Sequence, residues 1–341
     1  MHMADALISP AVGGTMWAAT AGLTYYSAKK LRDNLDDRRV PLMGVLGAFI
    51  FAAQMINFTI PGTGSSGHLG GGMILAILLG PYAAFLTMAS ILTVQALFFA
   101  DGGLLALGCN IFNLGFFPCF IAYPFIYRKI VGARLTRGRI VLGAMLAAIV
   151  ALQLGAFGVV LETWGSGISE LTFKTFVLMM QPIHLAIGVV EGLVTAAVVT
   201  FIVQARPEIL ATAPAGQGEG PGFKKVLAGL LLVAVVTGGG LSWFASTHPD
   251  GLEWSIAHVT GKEELTAPEQ GLHAVMAWIQ EQTAFMPDYN FAKEDKAEPA
   301  KGEAWPEVNA GTSMAGIVGI LMTLALAGLI GLGLKRYYPK G

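Results

Sequence analysis

The run GGGMILAILLG at residues 70–80 decides how this chain threads a membrane. A helix needs about 20 apolar residues to cross a hydrocarbon layer of roughly 30 Å, so this run is too short to span unaided. Eight longer apolar segments surround it, at 10–28, 41–58, 82–100, 104–127, 140–161, 173–204, 225–245 and 312–334. Basic residues gather in AKKLRDNLDDRR (28–39), YRKIVGARLTRGR (127–139), the stretch 205–225 and the tail KRYYPK (335–340). Short loops rich in Lys and Arg face the cytoplasm. All four do so together only if the short run also carries the chain across, as a partial or tilted helix. Counting it gives nine passages. Met1, the loop NFTIPGTGSSGH (57–68), the loop near 162–172 and the segment 246–311 then lie outside, and the C-terminus lies inside.

The composition agrees with a polytopic membrane protein. Of the 341 residues 54% are hydrophobic and 13% charged, about half the charged share of an average soluble domain. The fold class expected is all-α: a seven-helix core plus two further transmembrane helices flanking an extracytoplasmic segment. Residues 207–222, PEILATAPAGQGEGPG, have linker composition and divide a core at 1–206 from a two-helix unit at 223–341 with its external segment at 246–311. Within that segment LHAVMAWIQEQ (272–282) is patterned as a short helix, and residues 293–307 read as a loop. Cys109 and Cys119 lie in apolar stretches, as buried small hydrophobes. The near-zero net charge of −1 says little about partners, and no nucleic-acid partner is expected.

The chain opens MHMADALISP, with no Lys or Arg and no signal-peptide pattern. The bulky His2 predicts retention of Met1 with a free α-amine. That amine and the backbone nitrogen of His2 close a five-membered ring on a metal ion, and the same nitrogen with His2 Nδ1 closes a six-membered ring. Such an in-plane set of three nitrogens suits Ni(II) or Cu(II) better than Zn(II). His68, alone in a glycine-rich loop on the same side of the membrane, is the candidate fourth ligand. The candidate metal ligands are therefore Met1, His2 and His68.

Several polar groups lie inside apolar segments: Gln54, Asn57, Gln95, Asn110, Asn113, Gln153 and Gln181, and then His184 and Glu191, two helical turns apart. The amides read as interhelical hydrogen-bonding groups. The two ionisable groups read as an interior polar stripe. Gly44, Ala48 and Ala52 would allow close helix packing. His248, His258 and His273 have no compact ligand spacing and read as dispersed surface residues. No Walker A, GxSxG or HExxH pattern occurs, so the chain itself neither hydrolyses ATP nor carries a common hydrolytic motif.

The N-terminal MHMADALISPAVGG, the His68 loop and PIHLAIGVVEGLVTA (182–196) resemble the CbiM/NikM substrate-binding components of energy-coupling factor transporters, bacterial importers of nickel or cobalt. Residues 223–338, with PDGLE at 249–253, resemble the small NikN or PDGLE component, here fused to the core. The resemblance implies a seven-helix core that binds one metal ion through the Met1 amine, the His2 backbone nitrogen and side chain, and His68. It also implies a transmembrane coupling (T) component and cytoplasmic ATPase subunits as partners, and location in the bacterial inner membrane. The PDGLE unit and a four-nitrogen site favour Ni(II) as transported substrate, with Co(II) the alternative. An intramembrane metal-dependent enzyme and an assembly or sensor subunit are the competing readings.

Overall fold

The computed structural model describes residues 2–33, 38–132, 135–205, 210, 221–291 and 305–336. Met1, most of the linker, residues 292–304 of the external loop and the tail beyond 336 lie outside the described residues. The protein is an all-α polytopic membrane protein. The nine apolar segments lie on nine helices. In the core these are α1 (Pro10–Arg32), α2 (Arg39–Gln54), α3 (Gly72–Leu79) and α4 (Pro81–Phe99), then α5 (Leu107–Val131), α6 (Arg137–Ser166) and α7 (Phe173–Ala205). The second unit contributes α8 (Pro221–Gly239) and α11 (Ala310–Arg336). Between them stand two short helices, α9 (Gly251–Thr260) and α10 (Gly271–Thr283). Of the described helices, α4 to α8 and α11 are long and apolar enough to cross a membrane.

Helix α3 has eight residues, all buried. At 1.5 Å per residue it rises about 12 Å, less than half a hydrocarbon layer. The chain leading into it is not helical. A two-stranded hairpin, β1 (Phe58–Ile60) and β2 (Ser65–Gly67), pairs Phe58 with Gly67 and Ile60 with Ser65, and leads into His68–Gly71. Non-helical backbone at membrane depth survives only where protein satisfies its polar groups. Here Glu191 of α7 accepts the N–H groups of Gly70 (2.7 Å) and Gly71 (3.2 Å). Gln54 donates to the Gly70 carbonyl at 2.9 Å and accepts from Gln95 at 3.0 Å. The Glu191 carboxyl group thus takes up two N–H groups at the N-terminus of α3 that no helical carbonyl can reach.

The glycine run is required by this path. Gly71 has φ +76°, and a Cβ there would meet Ile50 at 2.5 Å. Gly80, with φ +79°, separates α3 from α4, whose first turn begins at Pro81. Helices α6 and α7 pack as a pair and turn apolar side chains outward, among them Leu146, Leu161, Leu185 and Leu193. That outward apolar surface is what lipid requires, whereas α2, α3 and α4 are largely enclosed.

Helix α11 packs along α2 and α8. Gly44 of α2 faces the Leu324 carbonyl, where a Cβ would stand 3.0 Å away, and a Cβ on Gly319 would enter the Phe51 ring. Small residues therefore do hold α2 close to the second unit. The external segment folds over the end of the bundle opposite its basic loops. Gln280 of α10 donates to the carbonyls of Ala96 (2.9 Å) and Gly102 (2.8 Å). His273 corrects the expectation of surface histidines: it is buried and its Nε2 lies 2.8 Å from the Ile8 carbonyl. The reason is that α10 lies across the buried N-terminal segment, while His248 and His258 remain exposed.

Candidate metal centre

The first residues are part of the core. Met3, Leu7 and Ile8 are fully buried, and burial of three such side chains contributes on the order of 5–9 kcal/mol at 1.5–3 kcal/mol each. Polar contacts set the register: Asn110 of α5 accepts from Met3 N (2.8 Å) and donates to Met3 O (3.2 Å), and Asp5 accepts from Ala106 N at 2.9 Å. Asn110 therefore acts as an orienting group, in keeping with its reading as a hydrogen-bonding amide.

This anchoring brings His2 against His68. Their rings stack with centroids 4.9 Å apart and planes 10° from parallel. His68 Nδ1 lies 3.1 Å from the Leu69 carbonyl. When Nδ1 carries the proton, Nε2 presents the lone pair a metal needs. Burial is the main cause that lowers the His68 pKa to about 3, so its imidazole is neutral near pH 7.

His2 Nδ1 lies 2.9 Å from Asp101 Oδ1, and its Nε2 is buried without a hydrogen-bond partner. The expected chelate uses Nδ1, which in this arrangement is engaged by Asp101. Burial alone would raise the Asp101 carboxyl, but His2 beside it and the Tyr289 hydroxyl hold it at about 2. Tyr289 O–H donates to the other carboxylate oxygen. Met1 lies outside the described residues. Among the described residues, no group of three or more His, Cys, Asp and Glu side chains converges as a metal cluster.

The PDGLE stretch packs directly behind His68. Ser66 N donates to the Pro249 carbonyl at 2.8 Å, and Ser66 Oγ donates to the His248 carbonyl at 2.8 Å. Asp250 caps α9, accepting from Leu252 N (2.7 Å) and Glu253 N (2.9 Å), while Glu253 accepts from Asp250 N at 2.8 Å. That capping box fixes the start of α9. Gly251 must lack a side chain, because a Cβ would meet Ile183 at 2.5 Å and His184 at 3.3 Å on α7. Leu252 is buried. Pro249 and Gly251 thus dock one unit on the other beside His68, while Asp250 and Glu253 fix the start of α9.

His184 is buried with Nδ1 2.8 Å from the Met180 carbonyl and Nε2 without a partner. It lines a small cavity of about 10 Å³ with His68, Asp250 and Gly251. Glu191 is taken up by the backbone before α3. Sequence reasoning missed Asp101 and Tyr289. A signal for the first existed, a lone carboxylate in FFADGG (98–103) at the end of an apolar helix, whereas nothing local marks Tyr289.

The fold and its buried imidazole pair define the class, a multi-pass helical membrane protein with a nitrogen-rich pocket at one end. Two family models match: "Cobalt uptake substrate-specific transmembrane region" over residues 2–209 and "PDGLE domain" over 224–336. The chain belongs to the CbiM family and carries a PDGLE domain. It is similar to the putative fused nickel transport protein NikMN of Archaeoglobus fulgidus, 33% identical over 340 residues and covering 99% of each chain. The fused nickel transport protein NikMN of Rhodobacter capsulatus is 33% identical over 313 residues, covering 85% of this chain and 88% of the relative. A cobalt transport protein CbiM of Geobacter sulfurreducens is 29% identical over 246 residues, 69% of this chain and 74% of that one. The crystal structure of a truncated transition metal transporter aligns with a TM-score of 0.53 at 31% identity, covering 60% of this chain and 99% of that one. These relatives make the chain a transport component of the membrane and not an enzyme.

Proposed function

We propose that the protein is the metal-binding component of an ATP-driven energy-coupling factor importer, taking up Ni(II), with Co(II) the alternative substrate. The observation that carries this reading is the face-to-face pairing of His2 and His68 in a buried pocket at the end of the bundle away from the basic loops. The nickel transport proteins among the relatives extend over both units of the chain, which favours nickel. Both imidazoles lie where soft, borderline nitrogen donors discriminate against Mg(II) and Ca(II), which prefer oxygen.

The Met1 amine, the His2 amide nitrogen and His2 Nδ1 supply three donors, and His68 Nε2 the fourth. A half-turn of the His2 ring about Cβ–Cγ exchanges Nδ1 with Cδ2 and releases Nδ1 from Asp101. Until then Asp101 is the carboxylate that holds the ring. The N-terminus and the external segment face outward, and the basic loops face the cytoplasm of a bacterial inner membrane. There they meet a transmembrane coupling component and ATPase subunits that supply the energy this chain cannot. The chain divides into a core at 1–206, a linker at 207–222 and the PDGLE unit at 223–341.

Metal binding by purified protein tests the site. His2→Ala and His68→Ala should each weaken Ni(II) binding more than about 100-fold, beyond the usual cost of losing a supporting contact. One residue added before Met1 should do the same, because it converts the amine into an amide. Undiminished affinity in the extended protein would refute the terminal chelate. His184→Ala should leave tight binding in place, and loss of metal there would move the site into α7.

A further inference from the structure

The N-terminal segment, the turns after α2 and α4 and the external segment line a second, much larger cavity, of about 710 Å³. Among the described residues, eight carboxylate side chains line it and no lysine or arginine does, and the basic side chains there are His2, His68 and His273. Six of the eight come from the second unit, among them Glu253, Glu263, Glu264 and Glu307, while Asp5 and Asp101 belong to the core. Glu263, Glu264 and Glu307 are exposed, so their charges meet water within the cavity.

Carboxylates alone would be an ordinary solvated surface. His2 makes the difference: its side chain is 7% exposed, its Nε2 has no hydrogen-bond partner, and it lines this same cavity. The acidic space therefore ends on a buried nitrogen donor. Size orders the two spaces. Six waters of a hydrated divalent ion occupy roughly 180 Å³ at about 30 Å³ each, which the large cavity accommodates. The cavity behind His68, about 10 Å³, has room for one water-sized group.

We propose that this cavity, walled largely by the external segment of the PDGLE unit, is an antechamber that collects hydrated divalent transition-metal ions and passes them to His2 and His68. The inference rests on the metal-binding reading above and gives the external segment a task within it. Acidic walls of low dielectric focus the field and raise the local cation concentration, which can increase association rates by about 10- to 1,000-fold. The carboxylates hold the ion through its water shell, since hard oxygen donors retain a borderline metal less firmly than imidazole nitrogens do. The ion sheds its shell on reaching the imidazoles.

The test is the rate of Ni(II) association, followed by rapid mixing with full-length protein in lipid nanodiscs, for wild type and for Glu263→Gln/Glu264→Gln/Glu307→Gln. At low ionic strength, where the Debye length is about 30 Å, the variant should associate at least about threefold more slowly. At 1 M salt, where it is about 3 Å, the two rates should converge. The dissociation rate should be the same in both proteins. The conservative Glu263→Asp/Glu264→Asp/Glu307→Asp variant should recover most of the lost rate. Equal rates at low salt would overturn the antechamber, and so would a deficit that persists unchanged at high salt. The site reading fails separately, if His68→Ala still binds Ni(II) as tightly as wild type.

Discussion

Helices α3 and α11 are both apolar, and they are held by opposite means. Helix α3 is eight residues long, wholly enclosed, and fixed through side chains that reach its preceding backbone: Glu191 to Gly70 and Gly71, and Gln54 to Gly70. Helix α11 is 27 residues long, turns Leu321, Leu329 and Leu332 outward, and meets its neighbours through glycines. One is positioned by polar contacts, the other by shape. A binding segment that must hold an irregular path needs directional bonds, whereas a membrane helix satisfies its own backbone and asks only for close packing.

Glu191→Ala is the largest expected break in that comparison. It removes the acceptor of two buried N–H groups, each left unsatisfied at about 1–3 kcal/mol. The expected outcome is a loss of roughly 2–6 kcal/mol in stability, seen as a large fall in Tm, together with loss of Ni(II) binding. Near-normal binding in that variant would show that the path before α3 does not depend on its polar anchors.

Gly319→Ala tests the other side. Its Cβ would enter the Phe51 ring, and overpacking costs about 1–3 kcal/mol. Stability should fall by that amount while Ni(II) affinity changes little, because α11 only supports the wall. Asp101→Asn should reverse the pattern, leaving Tm nearly constant and raising Ni(II) affinity roughly tenfold, because the carboxylate no longer competes with the metal for His2 Nδ1 through a charge-assisted bond of about 1.5 kcal/mol or more. Equal effects on affinity from Gly319→Ala and Asp101→Asn would erase the distinction between shape and polar positioning. The smallest effect belongs to Asp250→Ala, which removes the cap of α9 for about 1 kcal/mol. Hydrogen exchange should show faster opening of α9 while α6 and α7 stay protected.

Much of this was readable from the chain. Length and apolar content mark the six helices long and apolar enough to span, and the basic loops predict that the short run 70–80 carries the chain back. What the residues could not show was how so short a helix is held, because the answer lies in Glu191 and Gln54, 121 and 16 residues from Gly70. The pairing of His2 with His68 followed from chelate chemistry and topology, and the two rings do meet. Asp101 and Tyr289 escaped, since hydrogen bonds across 99 and 188 positions leave no local pattern. His273 has the pattern of a surface residue, because nothing in the sequence marks Ile8 as the partner over which α10 lies.

The docking of Ser66 on the Pro249 carbonyl has a consequence for how the two units are encoded. When both reside on one polypeptide, the second unit never diffuses away from the loop it covers, and its effective concentration there is on the order of millimolar. Dilution in a broad membrane would weaken the same pair expressed as separate chains, whereas the fused protein keeps its cover at any level of expression.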